Sequence, residues 1–292
     1  MRRNYSNLMI VGAIFVFVVG CMCPAGRNSG TSTPEPSPSP SSSQTKGSPA
    51  NDTKTSPNKD EGDFKVEHGS VSNAKYTELA KQIKDEKLLE NAAAQLNKAL
   101  ALPEDITLKA EECGEANAFY DPNAVEISMC YELMEHLYLT FRNSGMPDQK
   151  AYDKMFAATR FIFLHEVGHA LIDQYKLPIM GNEEDAADRC SAFINLEELG
   201  QQGVEAVFAG ADAFRLQSKS QTKTKGDLAD EHLLDEQRFY NSMCMIYGSN
   251  SPKYQNIVTE GYLPKARAER CEQEYQKTTD SWANLLKPWR KA

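Results

Sequence analysis

Apolar residues recur every three or four positions along much of the chain, which is the period of an amphipathic helix. Between residues 75 and 101 this pattern predicts one long helix, which ends ahead of Pro103. Short runs of strand-forming residues follow, at 106–110, 116–120 and 125–130. A turn signal at 121–123 separates the last two runs. We therefore expect a small, mostly antiparallel sheet.

Helical patterns dominate the rest of the chain. They predict helices at 131–142, 151–176 and 183–199, then a mainly helical remainder with turns at Gly210, Gly226 and 248–250. The helix at 151–176 is apolar around nearly its whole circumference, which is typical of a buried helix. The predicted fold class is α+β, with the small sheet packed on this helix and a mainly helical C-terminal lobe after it.

The N-terminus has the features of an export signal. Arg2 and Arg3 precede residues 8–19, which hold only apolar side chains and one glycine. Such a run is too short for a membrane span of about 20 residues and fits a signal peptide better. The VVGC sequence that ends at Cys21 resembles the lipobox of bacterial lipoproteins. This resemblance implies a signal peptide at 1–20, a lipidated Cys21, and an exported protein anchored on the periplasmic face of a membrane or at the cell surface.

Residues 21–63 are predicted to form the lipidated cysteine and a disordered tether. Nineteen of the 27 residues from 31 to 57 are Ser, Thr or Pro, so this stretch has too little apolar surface to offset its ordering entropy. Residues 64–292 are numerous enough for one sizeable domain. The formal charge of −9 and the lack of a basic patch argue against nucleic acid as a partner. The sequence gives no indication of oligomeric state.

Seven cysteines fit an exported protein. We expect two disulfides, Cys113–Cys130 and Cys244–Cys271. Cys190 would then remain as a buried free thiol, although it could instead replace a partner in the second pair. No CxxC pair occurs, which argues against a zinc site made of cysteines.

The central motif, HEVGH at residues 165–169, lies in the middle of the apolar helix. Residues four apart share a helix face, so His165 and His169 can bind one zinc ion while Glu166 lies beside them. Burying these polar groups without partners would cost on the order of several kcal/mol, and a metal removes that cost. Gly168 is unfavourable inside a helix and indicates a close backbone neighbour. The alternative is a chance association of two histidines and a glutamate.

A catalytic zinc needs a third protein ligand and leaves its fourth position open. Glu184 and Asp188 are four residues apart at the start of the next predicted helix, so they also share a face. We predict that Glu184 binds the metal and that Asp188 holds the free ring nitrogen of a histidine ligand. Glu183 and Asp185 remain alternative ligands. The acidic stretch would also be explained by a favourable interaction with the helix dipole.

With EDAAD at 184–188 following HEVGH, the chain resembles the gluzincin metallopeptidases, which include thermolysin-like enzymes. Segments at 118–122 and 237–241 are similar to those of a family of bacterial metallopeptidase lipoproteins without an assigned substrate, and this similarity covers most of residues 75–290. The resemblance implies a zincin-like fold, one bound Zn²⁺, and hydrolysis of peptide bonds in proteins outside the cytoplasm.

The resemblance also implies a mechanism. Glu166 would act as the general base on the attacking water. The transition-state oxyanion needs a further donor, and the candidate is His232, with Arg238 and Tyr240 behind it. The alternative for His232 is an exposed histidine at the start of a helix. The strand that ends near Cys130 is expected to pair with the substrate backbone.

Two other classes of function remain open. A non-catalytic zinc-binding surface or periplasmic lipoprotein would use the metal for folding or binding. Glu166 argues against this class, because a structural zinc site normally has four protein ligands and needs no general base. The third possibility is an adhesin or substrate-binding lipoprotein in which the motif is accidental.

Overall fold

The computed structural model of the protein describes residues 60–220, 224 and 231–291. Three predicted features lie outside these residues: the signal peptide, Cys21 with the tether up to residue 59, and the turn at Gly226. Within the described ranges, no helix is both long enough and apolar enough to cross a membrane.

Four strands in the described part of the chain form one mixed sheet. They are β1 (Phe64–His68), β2 (Ile106–Glu111), β3 (Ala118–Asp121) and β4 (Glu126–Cys130). Their spatial order is β1-β2-β4-β3, with β1 and β4 parallel to β2 and only β3 antiparallel, to β4. The expectation of a mostly antiparallel sheet is therefore wrong.

The parallel pairing follows from a strand that the sequence pattern did not reveal, β1, and from the connection after it. Parallel neighbours need a crossover of about a dozen residues or more, usually helical. Helices α1 (Thr77–Asp85) and α2 (Leu88–Ala99) provide this crossover between β1 and β2. Only the β3–β4 hairpin has the predicted turn, where the Asp121 carboxylate accepts the N–H of Asn123 at 2.8 Å.

The single helix predicted for residues 75–101 is two helices. Lys87 adopts a left-handed backbone conformation with φ of 51°, and this residue separates α1 from α2. A residue other than glycine is uncommon in that region of backbone space. Core-facing positions keep a helical period on both sides of the break, at Leu79 and Ile83 before it and at Leu89, Ala93 and Leu96 after it. The apolar pattern therefore gave no sign of the interruption.

The rest of the described chain is mainly helical, as predicted. Its helices are α3 (Tyr131–Asn143), α4 (Asp148–Gln174), α5 (Glu183–Glu198), α6 (Gly200–Ser220), α7 (Asp235–Ser249), α8 (Asn256–Thr259), α9 (Lys265–Ala268) and α10 (Cys271–Leu286). The α+β class is thus confirmed. The turn predicted at Gly210 is wrong, because this residue lies inside α6, where the lack of a side chain makes room for the Phe161 ring.

Helix α4 lies between two hydrophobic clusters. Leu164, Val167 and Leu171 of α4 pack in the cluster that includes the sheet and α1 to α3. Phe161 of α4 packs in the other cluster, which includes α6, α7 and α10. A helix with apolar neighbours on opposite sides must itself be apolar nearly all round, which explains the sequence of α4.

Gly168 allows α5 to approach α4 closely. A Cβ atom on this residue would lie 3.1 Å from Ala187 Cα and 3.1 Å from Cys190 Cβ. The close backbone neighbour predicted from this glycine is therefore the first half of α5.

The two expected disulfides are present. Cys113 pairs with Cys130, and Cys244 pairs with Cys271. The second bond joins α7 to α10, while Cys190 is buried and free.

Gly168→Ala is expected to destabilise the metal-free protein, although alanine normally favours a helix interior by about 1 kcal/mol over glycine. The added methyl group would press on Ala187, and overpacking of this kind costs about 1–3 kcal/mol. Thermal unfolding measures the difference, and Gly168→Val should unfold at a lower temperature still. A higher melting temperature for Gly168→Ala would contradict the packing described here.

A protein that begins at Asp60 retains five cysteines and should react with a thiol reagent in three distinct amounts. The folded protein should show no reactive thiol, because Cys190 is fully buried and burial raises the pKa of its thiol. Denaturant alone should expose one thiol, and denaturant with reductant should expose five. Three or more thiols without reductant would show that a disulfide is missing.

Candidate metal centre

The middle of α4 carries the polar residues of the HExxH motif. His165 and Glu166 are 4% and 6% exposed. His165 and His169 lie one helical turn apart on the same face, with their Nε2 atoms separated by 3.1 Å. The Nε2 atoms of both histidines therefore lie at one place beside α4.

Helix α5 brings a carboxylate to the same place. Glu184 Oε2 lies 3.1 Å from His165 Nε2, and Glu184 Oε1 lies 3.3 Å from His169 Nε2. One ligand atom from each of the three residues falls within 4.8 Å of the other two. Ligand atoms at about 2.0–2.1 Å from a tetrahedral zinc are about 3.3 Å apart, which is close to the contacts observed here.

The cluster formed by His165, His169 and Glu184 contains a buried polar atom without a hydrogen bond. Glu184 Oε2 is buried and accepts no hydrogen bond of normal geometry, although the imidazoles of His165 and His232 face it at 3.1 and 3.0 Å. A divalent cation between these groups would pair directly with this oxygen. Two nitrogens and one carboxylate oxygen also match the donor set of catalytic zinc sites. The residues of this cluster therefore fit a bound divalent metal.

Asp188 lies behind His165, one of the two histidines that it was predicted to contact. Its Oδ1 lies 2.8 Å from His165 Nδ1. Arg238 of α7 donates two hydrogen bonds to the same carboxylate, at 2.8 and 2.7 Å, and its guanidinium lies 4.1 Å from the centre of the Phe214 ring. Burial would raise the pKa of Asp188, but Arg238 outweighs it and holds this pKa well below its usual range. Arg238 thus supports Asp188, and this role was not recognised in the sequence.

The two alternative ligands have other partners. Glu183 Oε1 lies 2.9 Å from His169 Nδ1, on the side of the ring away from the cluster. Asp185 accepts a hydrogen bond from Arg189 at 2.7 Å. Each histidine therefore has a carboxylate at its Nδ1, and the contribution of Glu183 was missed because it lacks a companion acid at helical spacing.

His232 lies in a non-helical segment ahead of α7, not in the first turn of a helix. Its Nε2 is 3.0 Å from Glu184 Oε2, and its side chain is 45% exposed. The imidazole therefore borders the cluster on a side that solvent reaches. The remaining histidines have other partners, His68 with Glu90 and His136 with Gln217.

Burial and neighbouring charges shift the pKa values of the residues in this cluster. Desolvation raises the pKa of Glu166. Burial alone would lower the pKa of His169, but Glu184 and Glu183 outweigh it and raise this pKa to about 9. The pKa of Glu184 is held far below its usual range, because the surrounding imidazoles outweigh its desolvation. Without a metal, protons on the imidazoles compensate the carboxylate charge that a divalent cation would otherwise compensate.

The edge of the sheet nearest α4 is β3. The Tyr120 hydroxyl donates to Asp173 at 2.7 Å and joins β3 to the last turn of α4. Strand β4 has β2 on one side and β3 on the other, so its backbone is already paired. The expectation that the strand ending near Cys130 pairs with a substrate is therefore wrong.

A cavity of about 320 Å³ begins at Leu233, the residue after His232. It is lined by Leu233, Gln237, Tyr240, Asn241, Pro264 and Arg267. Arg267 also binds Glu274 through two nitrogens, at 2.9 and 2.6 Å, so its charge is compensated. Tyr240, predicted to stand behind His232, instead forms part of this cavity wall.

Comparison with known proteins identifies the family of the chain. No curated protein and no solved structure matches the chain significantly. The sequence model of one family, described as "Putative metallopeptidase", matches residues 69–286, a range that includes every residue of the cluster. Because this match covers well over half of the chain, the protein belongs to this family, DUF4344.

Proposed function

We propose that the protein is a zinc-dependent peptidase that hydrolyses peptide bonds in proteins outside the cytoplasm. The observation that carries this proposal is the meeting of His165, His169 and Glu184 around one point, with Glu166 buried beside them. Membership of a metallopeptidase family supports the reaction class. The identity of the metal is inferred from its two imidazoles and one carboxylate, a donor set typical of catalytic zinc.

In this proposal His165, His169 and Glu184 hold the zinc. When bound, zinc supplies a Lewis acid that polarises the scissile carbonyl and makes water more acidic. Asp188 and Glu183 fix the two imidazole rings through their Nδ1 atoms, so that both Nε2 atoms keep their direction. These supports reduce the reorganisation needed when a metal or substrate binds.

Glu166 is assigned the general base. Among the described contacts its carboxylate forms no hydrogen bond or ion pair, so it is available to a water molecule at the cluster. Its raised pKa makes it a stronger base than an exposed carboxylate, which favours proton transfer from water and then to the leaving amine.

His232 is assigned the donor to the developing oxyanion. Its imidazole borders the cluster at Glu184 and remains partly exposed, so a substrate carbonyl can approach it. A positioned donor at the developing charge lowers the barrier of acyl-transfer reactions. Of the two edge strands among the described residues, β3 is the one joined to α4, so its outer edge is the one offered to an extended substrate backbone.

The competing function is a non-catalytic zinc-binding lipoprotein. It explains the ligands equally well, but it gives no role to a buried carboxylate adjacent to them. Burial of Glu166 without a partner disfavours its charged form. A purely structural zinc site has no need of a buried carboxylate at this position. We therefore favour the enzyme, with a zincin-like arrangement of the gluzincin type.

We also propose that the enzyme is exported and held on a membrane by acyl chains on Cys21. The support is the sequence alone: a short apolar run, the VVGC sequence and the Ser/Thr/Pro-rich stretch that follows. Acyl chains contribute about 0.8 kcal/mol per buried methylene, so several chains anchor a protein without a spanning helix.

Glu166→Gln should retain one zinc per chain but lower the rate of cleavage by about 10²- to 10⁴-fold, because only the base is removed. Elemental analysis measures the metal, and casein with a peptide library measures cleavage. If wild type and Glu166→Gln cleave equally, or neither cleaves, the non-catalytic reading is favoured.

The matched ligand variant is His169→Ala, which should lose both zinc and cleavage. His136→Ala is the control, because His136 binds Gln217 on another part of the surface and should change neither property. Full zinc content in His169→Ala would remove this residue from the proposed ligands.

Cys21→Ser should move the protein from the membrane fraction to the soluble fraction, because it removes the sulfur that carries the acyl chains. Cys23→Ser is the matched control and should remain with the membrane. Fractionation followed by immunoblotting measures the distribution, and membrane retention of Cys21→Ser would refute the proposed anchor.

A further inference from the structure

Asn182 makes two hydrogen bonds in different directions at the start of α5. Its Oδ1 accepts the N–H of Asp185 at 3.1 Å and caps the helix. Its Nδ2 donates to the carbonyl oxygen of Glu231 at 2.6 Å, across 49 residues of sequence. Asn182 thus joins the helix that carries Glu184 to the segment that carries His232.

The Glu231 carbonyl belongs to the peptide unit that ends in the N–H of His232. Because a peptide unit is planar, a bond to its oxygen also restricts the direction in which the His232 side chain leaves the backbone. The other end of that side chain lies 3.0 Å from Glu184. Two contacts with the first turn of α5 therefore hold a residue that is outside any helix and partly exposed.

Helix capping alone does not require asparagine. Aspartate and serine cap helices about as well, because the cap needs only a side-chain oxygen. Only asparagine among these three offers an N–H₂ donor beside that oxygen. The amide nitrogen of Asn182 is the part that α5 does not use, and it is the part that contacts Glu231.

We infer that Asn182 is a positioning residue that holds His232 beside the metal cluster. The inference rests on the proposed function in one respect, since the position of His232 affects the rate only if His232 takes part in the reaction. Loss of one neutral hydrogen bond corresponds to about a fivefold change in the population of the held state.

Hydrogen exchange on the metal-loaded full chain, purified in detergent, tests the inference without an activity assay. Asn182→Asp and Asn182→Ser keep the capping oxygen and remove the amide donor, and serine does so without adding charge. In both variants the backbone amides of residues 231–234 should exchange about fivefold faster, while the first turn of α5 stays protected. Asn182→Ala should expose both segments.

Unchanged exchange at residues 231–234 in both capping variants would overturn the inference. An equal rise in the first turn of α5 would also overturn it, because the effect would then be loss of the helix cap.

Kinetics provide the second readout. Both capping variants should lower kcat by about fivefold with KM unchanged. In a His232→Ala background, Asn182→Asp should cause no further loss, because the group that it positions is absent. A further loss of similar size in that background would show a general structural defect and overturn the inference.

The two readouts separate this inference from the proposed function. If the metal-loaded wild type cleaves nothing, the peptidase proposal fails, and the exchange result alone decides whether Asn182 holds His232. If the wild type cleaves substrate and exchange is unchanged in the variants, the peptidase proposal stands and the positioning role is wrong.

Discussion

The close contact between α4 and α5 at Gly168 brings the three candidate metal ligands, His165, His169 and Glu184, together. His165 and His169 flank this glycine on α4, and Ala187, which lies against it, is one turn from Glu184 on α5. A Cβ atom at position 168 would meet the α5 backbone at 3.1 Å, so α5 would have to move outward by a few tenths of an ångström. The distance between the helices therefore determines whether a carboxylate oxygen can reach the two imidazoles. The helix penalty of a glycine is offset by this approach, because a Cβ atom at position 168 would require α5 to shift.

Several elements together compensate the charges that are buried at this site. Two imidazoles and their neighbouring carboxylates lie where α4 and α5 pack together, and His165 and Glu166 are almost fully buried there, so unpaired charge is strongly disfavoured. Asp188 compensates His165, and Arg238 from α7 in turn compensates Asp188 while lying over the Phe214 ring of α6. Helices separated by some seventy residues of sequence thus meet at one ion-pair network. Helix α7 is in this sense part of the candidate metal centre, because its Arg238 supplies the positive charge that keeps Asp188 ionised.

Local sequence predicted what depends on helical spacing, and failed where the chain brings distant segments together. The HExxH face and the shared face of Glu184 and Asp188 follow from 3.6 residues per turn, so their placement could be anticipated. The direction of the sheet could not, because β1 lies far from its partner and its short pattern resembles the end of a tether. The break at Lys87 leaves the apolar period intact on both sides. The link from Asn182 to the segment of His232 spans 49 residues and leaves no periodic signal.

X-ray absorption at the zinc edge, combined with anomalous diffraction from crystals of the zinc-loaded protein, tests the central claim most directly. The account predicts one zinc ion bound by the Nε2 atoms of His165 and His169 and by an oxygen of Glu184, each at about 2.0–2.2 Å. A zinc ion bound to other side chains, a sulfur ligand in its shell, or no metal between α4 and α5 would contradict it.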